Sequence, residues 1–557
     1  MQKVLSAEEM REVDRQTTEK YGIPSILLME NAAHAAARVI TEKLGCSVAG
    51  KSFLILCGKG NNGGDGAALA RILWTQGGEV NVYLFGKVED TKGDARSNFE
   101  ICQNLNTHHR YSNENNLGFY EMHTSESVDV ITTESFFHNQ HDCVIDALFG
   151  TGVTRKLEGD FEKLAGHISH LCTMPKIERA YFPKKPLVVA IDLPSGLNAD
   201  SSQSIGKNAS ADLTITFTAP KLANVLPPAS NANGELFVAN IGSRYELIVN
   251  SPSQTFLAEK EDVELWLRGT KFSSASYKNK RGHALLVAGS NNYAGAAVLA
   301  GNAAIVSGVG LVTIATPESA QNSIAARVLP EVMTRGLPET ENGAAAAEAF
   351  DGIDGFIEKS IDACLIGSGL SSSDESTKKL VKRLVEQRRT PVVIDADGLN
   401  SLAPFDLQGA DELPLILTPH EGEFLKLLGT TDKEALKDRV AVVREFAQKH
   451  HVILVLKGER ALIAAPDGRV VINPTGNSGL GKAGNGDTLA GIITGFVAQA
   501  AQLKVDIFET VVAAVYLAGL AGDIASEKYG KRSMLASDVR ECLRDAFQSI
   551  ENGTPSS

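Results

Sequence analysis

The sequence predicts two consecutive α/β domains, each built on a mostly parallel sheet with helices packed on it. Short apolar runs without strict alternation recur along the whole chain, as expected for strands that are buried on both faces of a parallel sheet. Between these runs lie segments with apolar residues at helical spacing, such as Leu69, Ile72 and Leu73. Strands that alternate with helices in this way indicate the α/β class.

The order of the elements predicts where the domains lie. The segment 7–40 is expected to be helical, with an interruption at Gly22-Ile23-Pro24. Candidate strands of the first half are 53–57, 80–85, 143–148, 187–193, 213–217 and 236–241. Those of the second half are 285–289, 311–315, 363–367, 391–395, 415–419 and 452–458. A polar, proline-containing break separates the two series, so we expect domains over 1–248 and 257–557 with a linker over 249–256. The aperiodic stretch 173–186, which has three prolines, predicts a surface loop.

Composition and charge disfavour several classes of protein. The chain has 557 residues and a net charge of −13, and its densest basic segment, KNKRG at 278–282, is short, so we expect no nucleic-acid partner. It has no run of 18 apolar residues, and its N-terminal segment lacks a long apolar region, so we expect neither a membrane span nor a signal peptide. The seven cysteines lie far apart without a C-x-x-C pair, which predicts reduced thiols in a cytoplasmic protein.

A glycine-rich stretch follows the first candidate strand. GKGNNGGDG, at 58–66, has five glycines in nine residues, which predicts a close approach to the backbone, a positive φ, or both. A strand, a glycine turn and a helix start place free N–H groups at the carboxyl edge of a sheet, where open α/β sheets bind ligands. The spacing matches neither the dinucleotide fingerprint nor the P-loop. A tight turn without a ligand stays open as the alternative.

Two further strand ends of the first domain carry polar side chains. VIDALFGTG places Asp146 at one strand end, and AIDLPSGLN places Asp192 and Ser195 at another. Either carboxylate alone could be a helix cap. Together with the glycine loop, they indicate one site at one edge of the sheet.

The second domain has its own glycine-rich helix start, GNGDTLAGIITGFV at 484–497. Its N–H groups suit a phosphate, and Asp487 could deprotonate a hydroxyl, although a lone aspartate at this place can be only a cap. Lys457 lies at the end of one predicted strand. His420 follows another predicted strand, close in sequence to two glutamates. For an isolated histidine, a structural role is the alternative.

The motifs MENAA, CGKGNNGGDG, DALFGTG and DLPSG, in this order, resemble the NAD(P)H-hydrate epimerase family over roughly residues 1–245. The resemblance implies a Rossmann-like three-layer sandwich that interconverts the R and S forms of hydrated NADH and NADPH, with Asp192 as the catalytic acid/base. It implies hydrate contacts at Asn61, Asn62, Gly63, Gly64, Asp65, Gly150, Thr151, Gly152, Val153, Thr154, Arg155, Lys156 and Asp192. It also implies a potassium ion held by Asn62, Asp146 and Ser195, and such oxygen ligands suit a hard, weakly charged cation.

The motifs RGHALLVAGS, IGSGL, VIDADGLN, LTPHEGEF, LKGER and GNGDTLAG resemble the ADP/ATP-dependent NAD(P)H-hydrate dehydratase family, of ribokinase-like fold, over about 257–546. The resemblance implies a catalytic Asp487 and a hydrate site at Ala296, Gly369, His420 and Asp487. It implies a nucleotide site at Lys457, Gly458, Glu459, Arg460, Ala461 and Gly486. LKGERALI lacks the threonine often found after KG, and Leu-Gly-Lys-Ala stands where the family usually has Met-Ala-Thr-Gly, so the preference between ADP and ATP stays open.

Taken together, the two resemblances imply an enzyme that repairs hydrated NADH and NADPH. The second domain would phosphorylate the ring hydroxyl of the S hydrate, using Mg²⁺ and ADP or ATP, and phosphate would then leave. The first domain would convert the R hydrate into the usable form. We expect small-molecule substrates, no nucleic-acid or membrane partner, and a homo-oligomer. A vitamin or sugar kinase, or a binding protein that has lost its chemistry, stays open as an alternative.

Overall fold

The computed structural model describes residues 1–109, 117–122, 141–173 and 185–551. The chain divides into two compact units, one over Lys3–Ser253 and one over Gln254–Ser557 that also includes Met1–Gln2. Most of the surface loop predicted at 173–186 lies outside the described residues.

The unit Lys3–Ser253 is built on a seven-stranded parallel sheet. Its strands are β2 (Ser52–Cys57), β3 (Glu79–Phe85), β4 (Leu117–Met122), β5 (Cys143–Ala147), β6 (Leu187–Ile191), β7 (Leu213–Phe217) and β8 (Glu235–Ala239). Their spatial order is β4-β3-β2-β5-β6-β7-β8, so the order reverses between β2 and β5. In open α/β sheets, ligands bind outside the carboxyl ends of the strands at such a reversal.

Helices cover both faces of this sheet. They are Ala7–Tyr21, Ser25–Lys43, Asn61–Thr75, Gly93–His109, Asp160–Thr173, Leu222–Val225 and Tyr245–Val249. Successive side chains of a strand point to opposite faces, and those of β2 accordingly enter two different cores. Phe53 and Ile55 pack with the helix Asn61–Thr75, whereas Leu54 and Leu56 pack with Asp160–Thr173. The predicted three-layer sandwich is therefore confirmed.

The second unit contains an eleven-stranded mixed sheet in the order β1-β9-β18-β17-β16-β15-β14-β13-β10-β11-β12. Its strands are β1 (Gln2–Lys3), β9 (Thr255–Leu257), β10 (His283–Val287), β11 (Leu311–Pro317), β12 (Val332–Leu337), β13 (Ala363–Ile366), β14 (Val392–Ile394), β15 (Leu415–Leu417), β16 (Ile453–Leu456), β17 (Leu462–Ala464) and β18 (Val470–Ile472). β17 runs antiparallel to both of its neighbours. Thr255 and Phe256, which we expected in the linker 249–256, pair with Val470 and Val471 and so belong to this sheet.

The helices of the second unit flank its sheet. They are Lys260–Gly269, Ala294–Val306, Glu318–Ala325, Phe350–Ser360, Glu375–Glu386, Asp397–Ser401, Glu421–Leu427, Arg439–His450, Asn485–Leu503, Ile507–Tyr529 and Ala536–Glu551. Among the described residues, Ile507–Tyr529 alone has the length and mean hydropathy (1.6) of a membrane-crossing helix. Since 67% of its apolar window is buried within the protein, it has the character of a core helix.

Two candidate active sites

The glycine loop after β2 packs against backbone of its own domain. A Cβ atom on Gly58 would lie 2.0 Å from the carbonyl oxygen of Leu148, and one on Gly63 would lie 1.9 Å from that of Gly58. Both distances are far below van der Waals contact, so a side chain at either position requires the backbone to move. None of the five glycines has a positive φ. The predicted close approach is thus confirmed, but the protein itself makes it at these positions, and the alternative of a positive φ is wrong.

This packing predicts different outcomes for two serine substitutions in the loop. A Cβ on Gly60 would have no atom within 4 Å, and serine is a favourable N-cap residue there, so Gly60→Ser should be tolerated. Gly63→Ser should lower the free energy of unfolding by about 1–3 kcal/mol, because the added atoms overlap backbone. Amide hydrogen exchange over the helix Asn61–Thr75 measures this difference. Equal protection in the two variants would contradict the packing argument.

Three strand ends meet where the sheet order reverses. A Cβ on Gly150, after β5, would lie 3.0 Å from Oδ2 of Asp192 and 3.1 Å from Oδ1 of Asn62. Asp192 follows β6, and Asn62 belongs to the first turn of the helix after β2. The structure therefore brings these three predicted residues together at one edge.

Asp192 is paired with a lysine that the sequence motifs did not include. Lys221 is 1% exposed, and its Nζ donates hydrogen bonds to Oδ1 of Asp192 (2.6 Å), Oγ1 of Thr216 (2.9 Å) and the carbonyl oxygen of Phe217 (3.2 Å). Thr216 Oγ1 also lies 3.0 Å from Oδ1 of Asp192. The backbone of Asp192 has a φ of 66°, a conformation that non-glycine residues seldom adopt and that is concentrated at functional sites. These contacts hold one carboxylate oxygen and leave Oδ2 beside Gly150.

The expected potassium ligands Asp146 and Ser195 form a buried pair. The Ser195 backbone N–H and Oγ donate to the Asp146 carboxylate at 2.8 and 2.5 Å, and the Phe149 N–H donates to Ser195 Oγ at 3.0 Å. Burial raises the pKa of Asp146 to about 6, against the effect of its hydrogen bonds. The third expected ligand, Asn62, has a buried Nδ2 without a hydrogen-bond partner.

The other residues expected to contact the hydrate differ in exposure. Gly63 and Gly64 are buried, Asp65 and Thr151 are partly buried, and Asn61 and Gly152 are exposed. Val153 is buried, whereas Thr154, Arg155 and Lys156 are exposed, and the Lys156 ammonium lies 3.4 Å from the Glu158 carboxylate. The structure thus places the last three residues on the solvent side of the loop.

In the second unit, the helix Asn485–Leu503 begins beside Lys457. A Cβ on Gly486 would lie 3.5 Å from Nζ of Lys457, which donates to Oδ1 of Asp395 at 2.9 Å and lies 3.8 Å from Glu423. Burial alone would lower the pKa of Lys457, but Asp395, Glu423 and Asp487 together raise it. The lysine therefore carries a positive charge at this helix start.

Asp487 lies in the first turn of the same helix. Burial raises its pKa to about 6, the charge of Asp395 adds to this effect, and Lys457 opposes it. In the same turn of the helix, Asn485 Oδ1 and Thr488 Oγ1 are buried without hydrogen-bond partners. Since buried polar atoms are nearly always satisfied, these atoms point to a polar ligand at this place.

Of the remaining dehydratase residues, Gly369 and His420 follow β13 and β15, and Ala296 lies in the first turn of the helix Ala294–Val306. A Cβ on Gly369, whose φ is 72°, would lie 2.9 Å from the Cβ of Ala296, so these two predicted residues are adjacent. His420 Nδ1 accepts the N–H groups of Gly422 (3.0 Å) and Glu423 (3.3 Å), which makes His420 a helix cap. His420 therefore also has the structural role that the sequence left open as an alternative.

The expected nucleotide segment, residues 457–461, forms the turn between β16 and β17. Its start lies beside His420, with which Lys457 forms a parallel bridge. A Cβ on Gly458 would lie 2.6 Å from the guanidinium of Arg439, which also donates to the carbonyl oxygen of Arg460. Glu459 is exposed, and Arg460 and Ala461 are partly buried. The guanidinium of Arg439 thus supports this turn on one side, and Glu459 remains exposed to solvent.

Comparison with known proteins agrees with both halves. Residues 25–223 match the family described as YjeF-related protein N-terminus, and residues 284–544 match the family described as NAD(P)H-hydrate dehydratase. The bifunctional NAD(P)H-hydrate repair enzyme of Moorella thermoacetica is 38% identical over 553 residues, which cover 98% of this chain and 97% of that protein. The chain belongs to the family of bifunctional NAD(P)H-hydrate repair enzymes.

Further similar proteins carry the same description. The bifunctional NAD(P)H-hydrate repair enzyme of Escherichia coli is 30% identical over 540 residues, with 97% of this chain and 92% of that protein covered. Among solved structures, an ADP/ATP-dependent NAD(P)H-hydrate dehydratase from Bacillus subtilis, co-crystallised with ATP and Mg²⁺, is 33% identical. It covers 53% of this chain and 98% of its own, with a TM-score of 0.46.

Sequence reasoning missed several residues of the two sites in this repair enzyme. In the epimerase unit these are Lys221 and Thr216, and in the dehydratase unit Thr488 and Arg439. Lys221 and Thr216 had a detectable signal, because they flank the end of β7 just as the predicted residues flank β5 and β6.

Proposed function

We propose that the Asp192 site interconverts the R and S hydrates of NADH and NADPH and that the Asp487 site dehydrates the S hydrate. The observation that carries this proposal is common to both units. Each places a carboxylate and a lysine at the carboxyl ends of its strands, next to a glycine-rich helix start, as with Asp192 and Lys221 or Asp487 and Lys457. Such a place suits an anionic substrate and proton transfer.

In the dehydratase site, the roles follow from the chemistry of a poor leaving group. Asp487 takes the proton of the ring hydroxyl while that oxygen attacks the terminal phosphate of ADP or ATP. The N–H groups at the start of Asn485–Leu503 and the charge of Lys457 stabilise the phosphate. Phosphate then leaves with the electron pair of the C–O bond, pushed by the lone pair of the ring nitrogen, and loss of a ring proton restores the reduced nicotinamide.

Mg²⁺ and K⁺ each suit one of the two sites. The unpartnered Asn485 Oδ1 is a hard oxygen donor that would hold Mg²⁺, which supplies charge neutralisation for the transferred phosphate. In the epimerase unit, Asp146 and Ser195 would hold K⁺ through their oxygen atoms. The Asn62 amide would complete that set after a flip that exchanges its unpartnered Nδ2 for Oδ1.

Dehydration should decline in acid with a midpoint near pH 6. Asp487 accepts a proton only when it is ionised, and burial raises its pKa to about 6. The ionised fraction, and with it the rate, should therefore fall about tenfold between pH 7 and pH 5. Initial rates of NADH formation from the S hydrate at saturating nucleotide measure this profile. A rate that stays constant down to pH 5 would contradict the role of Asp487 as the base.

One experiment tests the proposed function as a whole. The full chain is incubated with both hydrates, Mg²⁺ and either ADP or ATP, and NADH absorbance is followed. Complete recovery of both epimers in the presence of nucleotide supports the proposal, and comparison of the two nucleotides shows which one is preferred. Accumulation of a stable phosphorylated product would instead indicate a kinase.

Compartment and assembly are part of the proposal. We propose a cytoplasmic enzyme, because all seven cysteines are free thiols, six of them at least partly buried, as in proteins of a reducing compartment. A homo-oligomer stays a proposal, which sedimentation of the purified chain would test.

A further inference from the structure

One carboxyl group near the epimerase site has no assigned role. The segment before and within the helix Ala7–Tyr21 packs against the residues that precede Lys221: the Leu5 N–H donates to the carbonyl oxygen of Pro220 at 3.0 Å, and Val13 shares a hydrophobic cluster with Ala219. Asp14 follows Val13 and is partly buried. Its Oδ1 is buried without a hydrogen-bond partner.

The charges around Asp14 are unbalanced. The charged groups that act on it are Lys221 and two further carboxyls, those of Asp192 and Asp65. The three protons of Lys221 are directed to Asp192, Thr216 and Phe217, so this single cation is already used by Asp192. Three neighbouring carboxylates with one cation cannot all ionise without strong repulsion, and those not paired retain their protons.

The direction of the pKa shifts agrees with this argument. Burial raises the pKa of Asp14 to about 6, the charge of Lys221 opposes this rise, and the charge of Asp192 adds to it. Burial also raises the pKa of Asp65 well above its ordinary value, and the carboxylates of Asp192 and Asp14 add to this effect. Titratable groups whose environments separate their protonation states are the usual sign of an acid and base pair.

We propose that Asp14 is a second catalytic carboxyl of the epimerase site, the proton donor that works with Asp192 as the base. This inference rests on the proposed function of that site. In the hydrate, the carbon that carries the hydroxyl is also bonded to the ring nitrogen. Asp192 takes the hydroxyl proton, the C–O bond becomes a carbonyl, and the C–N bond breaks with its electron pair moving to nitrogen, which takes the proton of Asp14. The aldehyde turns its other face to the nitrogen, and the reverse steps close the ring and return both protons.

Lys221 is then a positioning residue for the base. Its ammonium fixes Oδ1 of Asp192 and stabilises the negative charge there, while Oδ2 remains beside Gly150, where the loop after β5 meets Asn62. The lysine donates a hydrogen bond to Asp192 and none to Asp14. One buried cation thereby assigns the roles of base and acid to two carboxyl groups of the same type.

Asp14→Asn tests the proposal in the full chain. The variant should lose at least about 100-fold in kcat/KM for epimerisation, the usual contribution of a general acid, while S-hydrate dehydration stays unchanged. Wild-type epimerisation should decline as the pH rises above about 6, because Asp14 loses its proton there, and the remaining activity of the variant should lack this decline. Glu8→Gln is the matched control, since it removes an exposed carboxylate from the same helix and should leave both activities unchanged.

Two outcomes would overturn the proposal. One is that Asp14→Asn epimerises at the wild-type rate. The other is that the decline of epimerisation at higher pH disappears in Asp65→Asn but not in Asp14→Asn, which would make Asp65 the proton donor. If the wild-type chain itself failed to epimerise, the proposed function would fail instead. Lys221→Met should abolish epimerisation even with Asp14 intact, and circular dichroism separates this loss from unfolding.

Discussion

Replacing Asp487 with asparagine should abolish dehydration of the S hydrate and leave epimerisation intact. Asparagine has almost the same size and shape as aspartate, so the backbone conformation at the start of the helix Asn485–Leu503 should not change. Its amide, however, cannot take a proton from the ring hydroxyl. Loss of a general base costs about 10²–10⁴-fold in rate. The substitution also removes one negative charge from beside Lys457 and Asp395. This loss should not weaken nucleotide binding, because the phosphate is itself an anion.

The measurement is the initial rate of NADH formation from the S hydrate at saturating nucleotide and Mg²⁺. Asp538→Asn is a matched control, because Asp538 also lies in the first turn of a helix of the same unit. Its Oδ2 accepts a hydrogen bond from the Leu535 N–H at 2.8 Å. Among the described residues, no site residue forms a hydrogen bond with it. This control should retain full dehydration. If Asp487→Asn lost epimerisation as well, the model of two independent sites would be wrong.

Most of the strands that sequence patterns located are buried apolar runs. All twelve predicted strands are present, because runs such as Phe53–Cys57 lie wholly inside the protein and contain little else than apolar residues. Among the strands that were missed, β12 (Val332–Leu337) lacks this signal, because it lies at an edge and includes exposed residues. Burial does not explain why β17 and β18 were missed, since both are fully buried and as long as β14 and β15.

The sites were partly predictable because parallel strands present their carboxyl ends at one edge. That rule is enough to bring Asn62, Gly150 and Asp192 together without a structure. It cannot supply Asp14, which we propose for this site, because that residue lies in the middle of a helix and does not follow a strand. The same rule also cannot predict which group approaches a glycine closely. At Gly58 the approaching group is the backbone after β5.

His420 shows a different limit of sequence reasoning. The sequence suggested either a site residue or a structural histidine, and its Nδ1 does cap the helix Glu421–Leu427. A nitrogen that accepts two N–H groups carries no proton, so the proton lies on Nε2, which is 3.5 Å from Glu423. Glu423 in turn lies near Lys457. A structural role and a place beside the site are therefore compatible for the same side chain.

Replacing Asp192 with asparagine should reduce epimerisation to the spontaneous rate and leave S-hydrate dehydration unchanged. Asparagine is suitable because it tolerates the positive φ of 66° at this position better than alanine does. The substitution leaves Lys221 buried without an anionic partner, and breaking a buried ion pair in this way costs about 3–5 kcal/mol. The double variant Asp192→Asn with Lys221→Met removes both charges, so it should be more stable than the single variant and equally inactive.

Mixing two full-length variants gives the sharpest form of this prediction. Asp487→Asn should epimerise but not dehydrate, and Asp192→Asn should dehydrate but not epimerise. Neither alone should form NADH from R hydrate faster than spontaneous epimerisation permits, whereas the mixture with nucleotide and Mg²⁺ should recover NADH from both epimers. Because the two carboxylates belong to separate compact units, each variant should supply what the other lacks. Consumption of R hydrate by Asp192→Asn alone, above the spontaneous rate, would show that another group is the base.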